Sequence, residues 1–358
     1  MLLSLILLLS TCIVSGSATI ASQWMSQVPD SRLVSNMSIP GTHDTLARNY
    51  WAATANCQTQ SLQTQLEDGI RYVDVRLNAT LACFHGTADL KLNFQNDVME
   101  VIQSFLQSQP TEVIFMRISQ ENTASSSFDG NVHQVLSSYG VGSLISTSTS
   151  WKAMTLGQNR GKIIILKDYT SSYNSYGINW SNSDITVQDT YQGVTIAQKK
   201  KLILSTLDAA ANDTGDHMYL NHASFVWMYN PPESVSRIIN PWLSNVLSQR
   251  QKVGIIAMDY ECPLLNNAII TMNLPVTTIA STNSLPQATL AGSITTAITS
   301  TISPPKDSET SGSETSATQT SGNATSGDET PRDQVSSGLS WKYQSSLASA
   351  ILLALFLT

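Results

Sequence analysis

Gly69-Ile70-Arg71-Tyr72-Val73-Asp74-Val75-Arg76 is the stretch on which the fold turns. A glycine punctuates the chain, and a run rich in β-branched and aromatic residues follows, so residues 72–77 read as a strand. Successive side chains of a strand point to opposite faces. Asp74 and Arg76 therefore lie on one side, with Val73 and Val75 on the other. A strand apolar on one face and charged on the other suits the wall of a barrel, with the charges directed inward. The same Asp–Arg pair is also open to a purely structural reading, as a buried ion pair.

Outward from this strand, apolar runs at 37–40, 113–118, 162–166, 185–187, 218–221 and 253–258 read as further strands. Several are apolar without a break, as in strands covered on both faces. Amphipathic stretches at 62–68, 95–106, 132–139, 196–211, 234–247 and 264–272 read as helices; in 95–106, Val98, Ile102 and Phe105 share a face. Strand–helix alternation across 24–275 predicts an α/β protein, an irregular TIM-type (β/α) barrel of parallel strands. A doubly wound open sheet is the alternative, weakened because no Gly-x-Gly-x-x-Gly opens the first helix.

Both ends read as targeting signals. Residues 1–14 are almost wholly apolar and small residues follow, which predicts a signal peptide over 1–21. Residues 281–340 are dominated by Ser, Thr, Gly and Pro, too polar to offset the entropy of ordering, and read as a disordered stalk. Beyond it come small residues at Ser336-Ser337-Gly338, a polar spacer and an apolar end. This is the pattern of a GPI-attachment signal, with Ser336 as the attachment site and 339–358 as the propeptide. An extracellular, cell-surface location, anchored to plasma membrane or wall, is the expectation. Asn-x-Ser/Thr sequons at Asn36, Asn78, Asn179, Asn212 and Asn323 suit a glycoprotein. Of the cysteines, Cys12 falls in the signal. An oxidising route predicts a Cys57–Cys83 disulfide, about 3–4 kcal/mol by loop closure, with Cys262 free. A net charge of −7 with no Lys/Arg run argues against a nucleic-acid partner. The expected partner is a phospholipid membrane surface, and the expected state a monomer.

Three clusters close predicted strands: Ile39-Pro40-Gly41-Thr42-His43-Asp44, Asp74-Val75-Arg76 and Cys83-Phe84-His85-Gly86. In parallel barrels the C-terminal ends of the strands carry the active site. His43 alone is equally a loop histidine beside a turn. Together, two histidines, an arginine and aspartates suit phosphoryl transfer. Histidine serves as acid or base near neutrality. Arginine grips two phosphate oxygens as a fork, and aspartates orient imidazoles.

These motifs, in this order and spacing, resemble the X-type catalytic domain of the phosphatidylinositol-specific phospholipase C family. Glu112-Val113-Ile114-Phe115-Met116-Arg117, Arg160-Gly161-Lys162-Ile163-Ile164, Val187-Gln188-Asp189-Thr190-Tyr191 and Gly254-Ile255-Ile256-Ala257-Met258-Asp259-Tyr260 are similar to later segments of that family. The resemblance implies a barrel that cleaves an inositol phospholipid, or a GPI, to diacylglycerol and inositol cyclic phosphate. It implies His43 as general base oriented by Asp259, and His85 as general acid aided by Asp44. Arg76 would neutralise the phosphate beside Asp74, and Asp189 and Tyr191 would contact the inositol. Arg117 and Lys167 would add positive charge, the family's basic residue on that strand being matched by Arg117 or Ser119. Metal-using members carry an acid where Arg76 stands, so metal-independent cleavage without a cofactor is implied. Alternatives are a phosphodiesterase for another headgroup and an inactive barrel serving surface adhesion. The aromatics of Tyr173-Asn174-Ser175-Tyr176-Gly177-Ile178-Asn179-Trp180 suggest a membrane-contacting loop.

Overall fold

The computed structural model describes residues 21–226 and 230–275. The chain runs β1 (Ile39–Thr42), α1 (Leu62–Glu67), β2 (Tyr72–Leu77), β3 (Ala82–His85), β4 (Ala88–Asn93), α2 (Glu100–Ser108) and β5 (Val113–Gln120). It continues through α3 (Phe128–Ser138), α4 (Leu156–Asn159), β6 (Lys162–Asp168), β7 (Ile178–Asn179) and β8 (Ile185–Gln188). The last elements are α5 (Ile196–Asn212), β9 (Met218–His222), α6 (Pro232–Leu247), β10 (Ile255–Met258) and α7 (Pro263–Thr271).

The strands lie in the order β7-β6-β5-β2-β1-β10-β9-β8, each parallel to its neighbours. The first barrel strand therefore pairs with the last, and the sheet curls into a TIM-type barrel. Among the described residues no pairing joins β7 to β8, so the wall is open there. Close approach of β1 to β2 depends on Gly41, where a Cβ would stand 2.7 Å from the Tyr72 side chain. Gly254, which feeds β10, holds a φ of +70° that an L side chain rarely adopts.

Period-two alternation sorts each strand between two apolar layers. Val73, Val75, Ile114, Met116, Ile163, Ile165, Ile256 and Met258 face outward into a core shared with the helices. Tyr72, Phe115, Ile164, Leu166, Leu220, Ile255 and Ala257 face inward, where Trp24, Met25 and Trp151 join them. Two residues further along the same inward faces come Asp74, Arg117, Asp168, His222 and Asp259. The interior is thus apolar toward the N-terminal ends of the strands and charged at the C-terminal ends. That layering places the site.

Several expectations are corrected. The hairpin β3–β4 was not anticipated; it pairs antiparallel onto the end of β2, off the barrel path. The helix expected at 95–106 opens as a π-type turn, Phe94–Met99, before α2. Cys57, Cys83 and Cys262 are all free thiols, so the Cys57–Cys83 disulfide is not formed. Cys83 is packed in the outer apolar core, whereas Cys57 lies among the charged residues of the barrel mouth. The aromatic loop is no free surface either, since Tyr176 is wholly buried and Trp180 packs on the inner core. Residues 1–20 of the expected signal peptide, the expected stalk, Asn323, Ser336 and the expected GPI propeptide lie outside the described residues.

Candidate active site

His43 follows β1 directly. Its backbone N–H donates to the Met258 carbonyl at 2.9 Å, and Gln58 Nε2 donates to both His43 O (2.7 Å) and Met258 O (2.8 Å). The imidazole is held at both nitrogens: Nδ1 lies 2.8 Å from Asp259 Oδ1, and Nε2 lies 2.8 Å from Arg76 Nη2. A guanidinium only donates, so Nε2 must be the acceptor and Nδ1 carries the proton that bonds Asp259. This tautomer leaves a lone pair on Nε2. Burial disfavours charge on the ring, but Asp259 outweighs it, and the pKa of His43 sits above 6.5.

Arg76 is the hub of the mouth. Its Nε and Nη2 donate to Asp74 Oδ2 at 3.2 and 2.9 Å, and Nη1 to Glu121 Oε1 at 3.3 Å. Asp44 Oδ2 stands 3.5 Å from Arg76 Nη1 and 3.4 Å from His85 Nε2. Asp44 thus lies between the arginine and the second histidine. It reaches there from a left-handed backbone (φ +44°), with its N–H donating to Asp74 Oδ2 at 3.1 Å. His85, at the end of β3, is fixed through Nδ1 to the Ala55 carbonyl at 3.1 Å. Asp74 also receives Arg117 Nη1 at 2.8 Å. Burial alone would raise the Asp74 pKa, but Arg117 and then Arg76 hold it well below the usual carboxylate range.

The fold brings His43, Asp44, Asp74, Arg76, His85 and Asp259 into one cluster. Arg117 lies beside it, spanning Asp74 and Asp168 (2.6 Å) beneath the Trp180 ring. Asp189 is 3.9 Å from His222 Nδ1, and Tyr191 is exposed on the rim. Lys167 is not brought in. It belongs to the outward set of β6, and its Nζ donates to the Tyr173 carbonyl at 2.8 Å.

Sequence reasoning missed Glu121, Asp168, Gln58 and His222, and read Cys57 only as a disulfide partner. Asp168 was legible, two residues past Leu166 on the inward face. His222 was too, at the end of an expected strand. His222 is fully buried, meets His43 edge-on at 5.7 Å, and makes no hydrogen bond through either ring nitrogen. Burial pushes its pKa down to about 4.

No family model matches the chain. It is 33% identical over 257 residues to the 1-phosphatidylinositol phosphodiesterase of Listeria monocytogenes, covering 66% of this chain and 80% of that protein. It is 22% identical over 278 residues to the Staphylococcus aureus protein of the same name, covering 66% of this chain and 87% of the relative. The solved phosphatidylinositol-specific phospholipase C from Listeria monocytogenes matches with a TM-score of 0.65 at 30% identity, over 70% of this chain and 98% of that one. A mutant Staphylococcus aureus enzyme matches with a TM-score of 0.63 at 19% identity, over 72% of this chain and 99% of that one, a likeness of fold alone. With a third of the aligned residues in common with the Listeria protein, and a fold that matches its solved relative, this chain belongs to the bacterial-type phosphatidylinositol-specific phospholipase C family.

Proposed function

We propose that the protein cleaves phosphatidylinositol, or a related inositol phospholipid or GPI, to diacylglycerol and an inositol cyclic phosphate. The observation that carries the reading is the chain Asp259–His43–Arg76, continued through Asp44 to His85. His43 Nε2 takes the proton of the inositol hydroxyl next to the phosphate, and that oxygen attacks phosphorus. Asp259 stabilises the imidazolium that results. The bond to the diacylglycerol oxygen breaks, and His85 Nε2 gives that oxygen its proton, with Asp44 holding the ring. Arg76 supplies the positive charge. A phosphodiester oxygen competes for Nη2, and taking it releases the lone pair of His43 for its task as base. Asp189 and Tyr191 would hold the inositol ring.

Because Arg76 fills the place of a cation, turnover should need no metal. Purified protein incubated with phosphatidylinositol vesicles in EDTA should release the cyclic phosphate. Protein that is inert in EDTA but active with calcium would refute the role given to Arg76.

The substrate lies in a bilayer, and the exposed apolar side chains suit that. Trp51 (88% exposed), Tyr191, Val226 and Leu264 (73% exposed) all lie in segments that leave the C-terminal ends of strands, around the mouth. The terminal signals support export and lipid anchoring at a cell surface. Detergent-phase partitioning of expressed full chain, with and without Ser336→Pro, tests the anchor. Asn179 and Asn212 are exposed and open to glycans. Asn78 Oδ1 instead accepts from the backbone N–H of Thr80 and Ala82, holding the turn between β2 and β3.

A further inference from the structure

Cys57 has no part in the chemistry above, yet it stands between the two histidines. Its Sγ and the ligand atoms of Asp44 and His85 all lie within 4.8 Å of one another, and so do its Sγ and those of His43 and Asp259. The thiol is held there from both sides of its own residue. The Cys57 N–H donates to Ala47 O and its carbonyl accepts from Tyr260 N–H, each at 2.7 Å. Cys57 is fully buried, and Asp44, 1% exposed, carries an Oδ2 that accepts no hydrogen bond. A buried carboxylate oxygen without a hydrogen bond, beside a thiol and an imidazole, is a donor set in search of a Lewis acid.

We propose that Cys57, Asp44 and His85 form an inhibitory binding site for a thiophilic divalent cation of the zinc class. Sulfur, nitrogen and carboxylate oxygen are the ligands zinc takes, at about 2.3, 2.0–2.1 and 2.0–2.2 Å. Drawing the three donors onto one ion needs only small side-chain shifts, and His85, the most exposed of them, gives access from the mouth. The ion binds Cys57 as the thiolate, displacing the thiol proton, and takes the Nε2 lone pair of His85. The fourth position is left for water or a phosphate oxygen. The acid can no longer protonate the leaving group, so turnover stops. Only this last consequence rests on the acid–base assignment proposed above; the binding does not.

The test uses purified full chain and the metal ions alone. Cobalt(II), as a spectroscopic stand-in, should give a thiolate-to-metal charge-transfer band that zinc abolishes by displacement. Zinc should stop phosphatidylinositol cleavage and EDTA restore it. Cys57→Ser should lose both the band and the inhibition while cleaving in EDTA as the parent does. If Cys57→Ser fails to fold, a chain with Cys12, Cys83 and Cys262 replaced by alanine must still give the band. Absence of the band there, its persistence in Cys57→Ser, or equal zinc inhibition of Cys57→Ser would each overturn the proposal. A band in the parent without any loss of turnover would uphold the site and overturn the role given to His85.

Discussion

Asp259 and Arg76 pull on opposite edges of one imidazole. Asp259 stabilises the protonated ring of His43, while Arg76 stabilises the neutral one. A base must be deprotonated to act, so cleavage should rise with pH through the His43 pKa, above 6.5. Asp259→Asn removes the chief stabiliser of the charged ring. The acidic limb of kcat/KM should then move to lower pH as turnover falls by about 10²–10⁴-fold, the range of general acid–base effects. An unmoved limb would detach Asp259 from His43. Arg76→Lys keeps the charge but loses the fork that spans Asp74, Glu121 and a phosphate. It should cost about 3 kcal/mol in the barrier, read as a drop of roughly 10²-fold in kcat. The pairing of Asp74 with Arg76 was legible because strand periodicity puts i and i+2 on one face. The link from Arg76 to Glu121 was not, since those residues meet only across the β2–β5 pair.

At the scale of the element, each inward face follows one pattern, apolar below and polar at the C-terminal end. Strand β9 carries it furthest, from Met218 and Leu220 to a wholly buried His222. Its folded pKa of about 4 lies below the ordinary 6.5, so between those values the unfolded chain binds more protons. The stabilisation is present above pH 6.5 and is lost as pH falls toward 4, on the order of 3 kcal/mol in all. Urea midpoints measured across that window should fall in the parent and fall less in His222→Phe. Parallel curves would remove His222 from the acid response. Long strands and helices were readable because periodicity accumulates along them. The short β3 and β4 were not, although Phe84-His85-Gly86 was read as the end of a strand. Four- and six-residue antiparallel strands gain their definition from pairing with β2 and with each other.

At the scale of the whole barrel, the proposed reaction site and the exposed apolar side chains share one end. Trp51 and Leu264 stand on segments far apart in sequence, after β1 and after β10, yet those strands are neighbours. Aromatic and aliphatic side chains exposed on one rim favour the bilayer interface. Trp51→Ala with Leu264→Ala should weaken sedimentation with phosphatidylinositol-containing vesicles. The same pair should lower cleavage on vesicles more than on a short-chain, monomerically dispersed substrate. Equal loss on both would place these residues in the fold rather than in membrane contact. The aromatic loop 173–180 offered the same chemistry in sequence. Folding spends it otherwise, on burial of Tyr176 and on the stacking of Tyr173 with His133 at 3.5 Å.

By itself the sequence determined the alternation of strand and helix, the inward face of β2 and the three motifs that close on the mouth. Each is local, written in side-chain period, turn residues and spacing within a few positions. The tertiary structure alone decided what those faces meet. It set Cys57 between two histidines instead of against Cys83, turned Lys167 away from the cluster, and brought in Glu121, Asp168 and His222. No local period carries such pairings, because they are fixed by which strands lie side by side across the sheet and in what register.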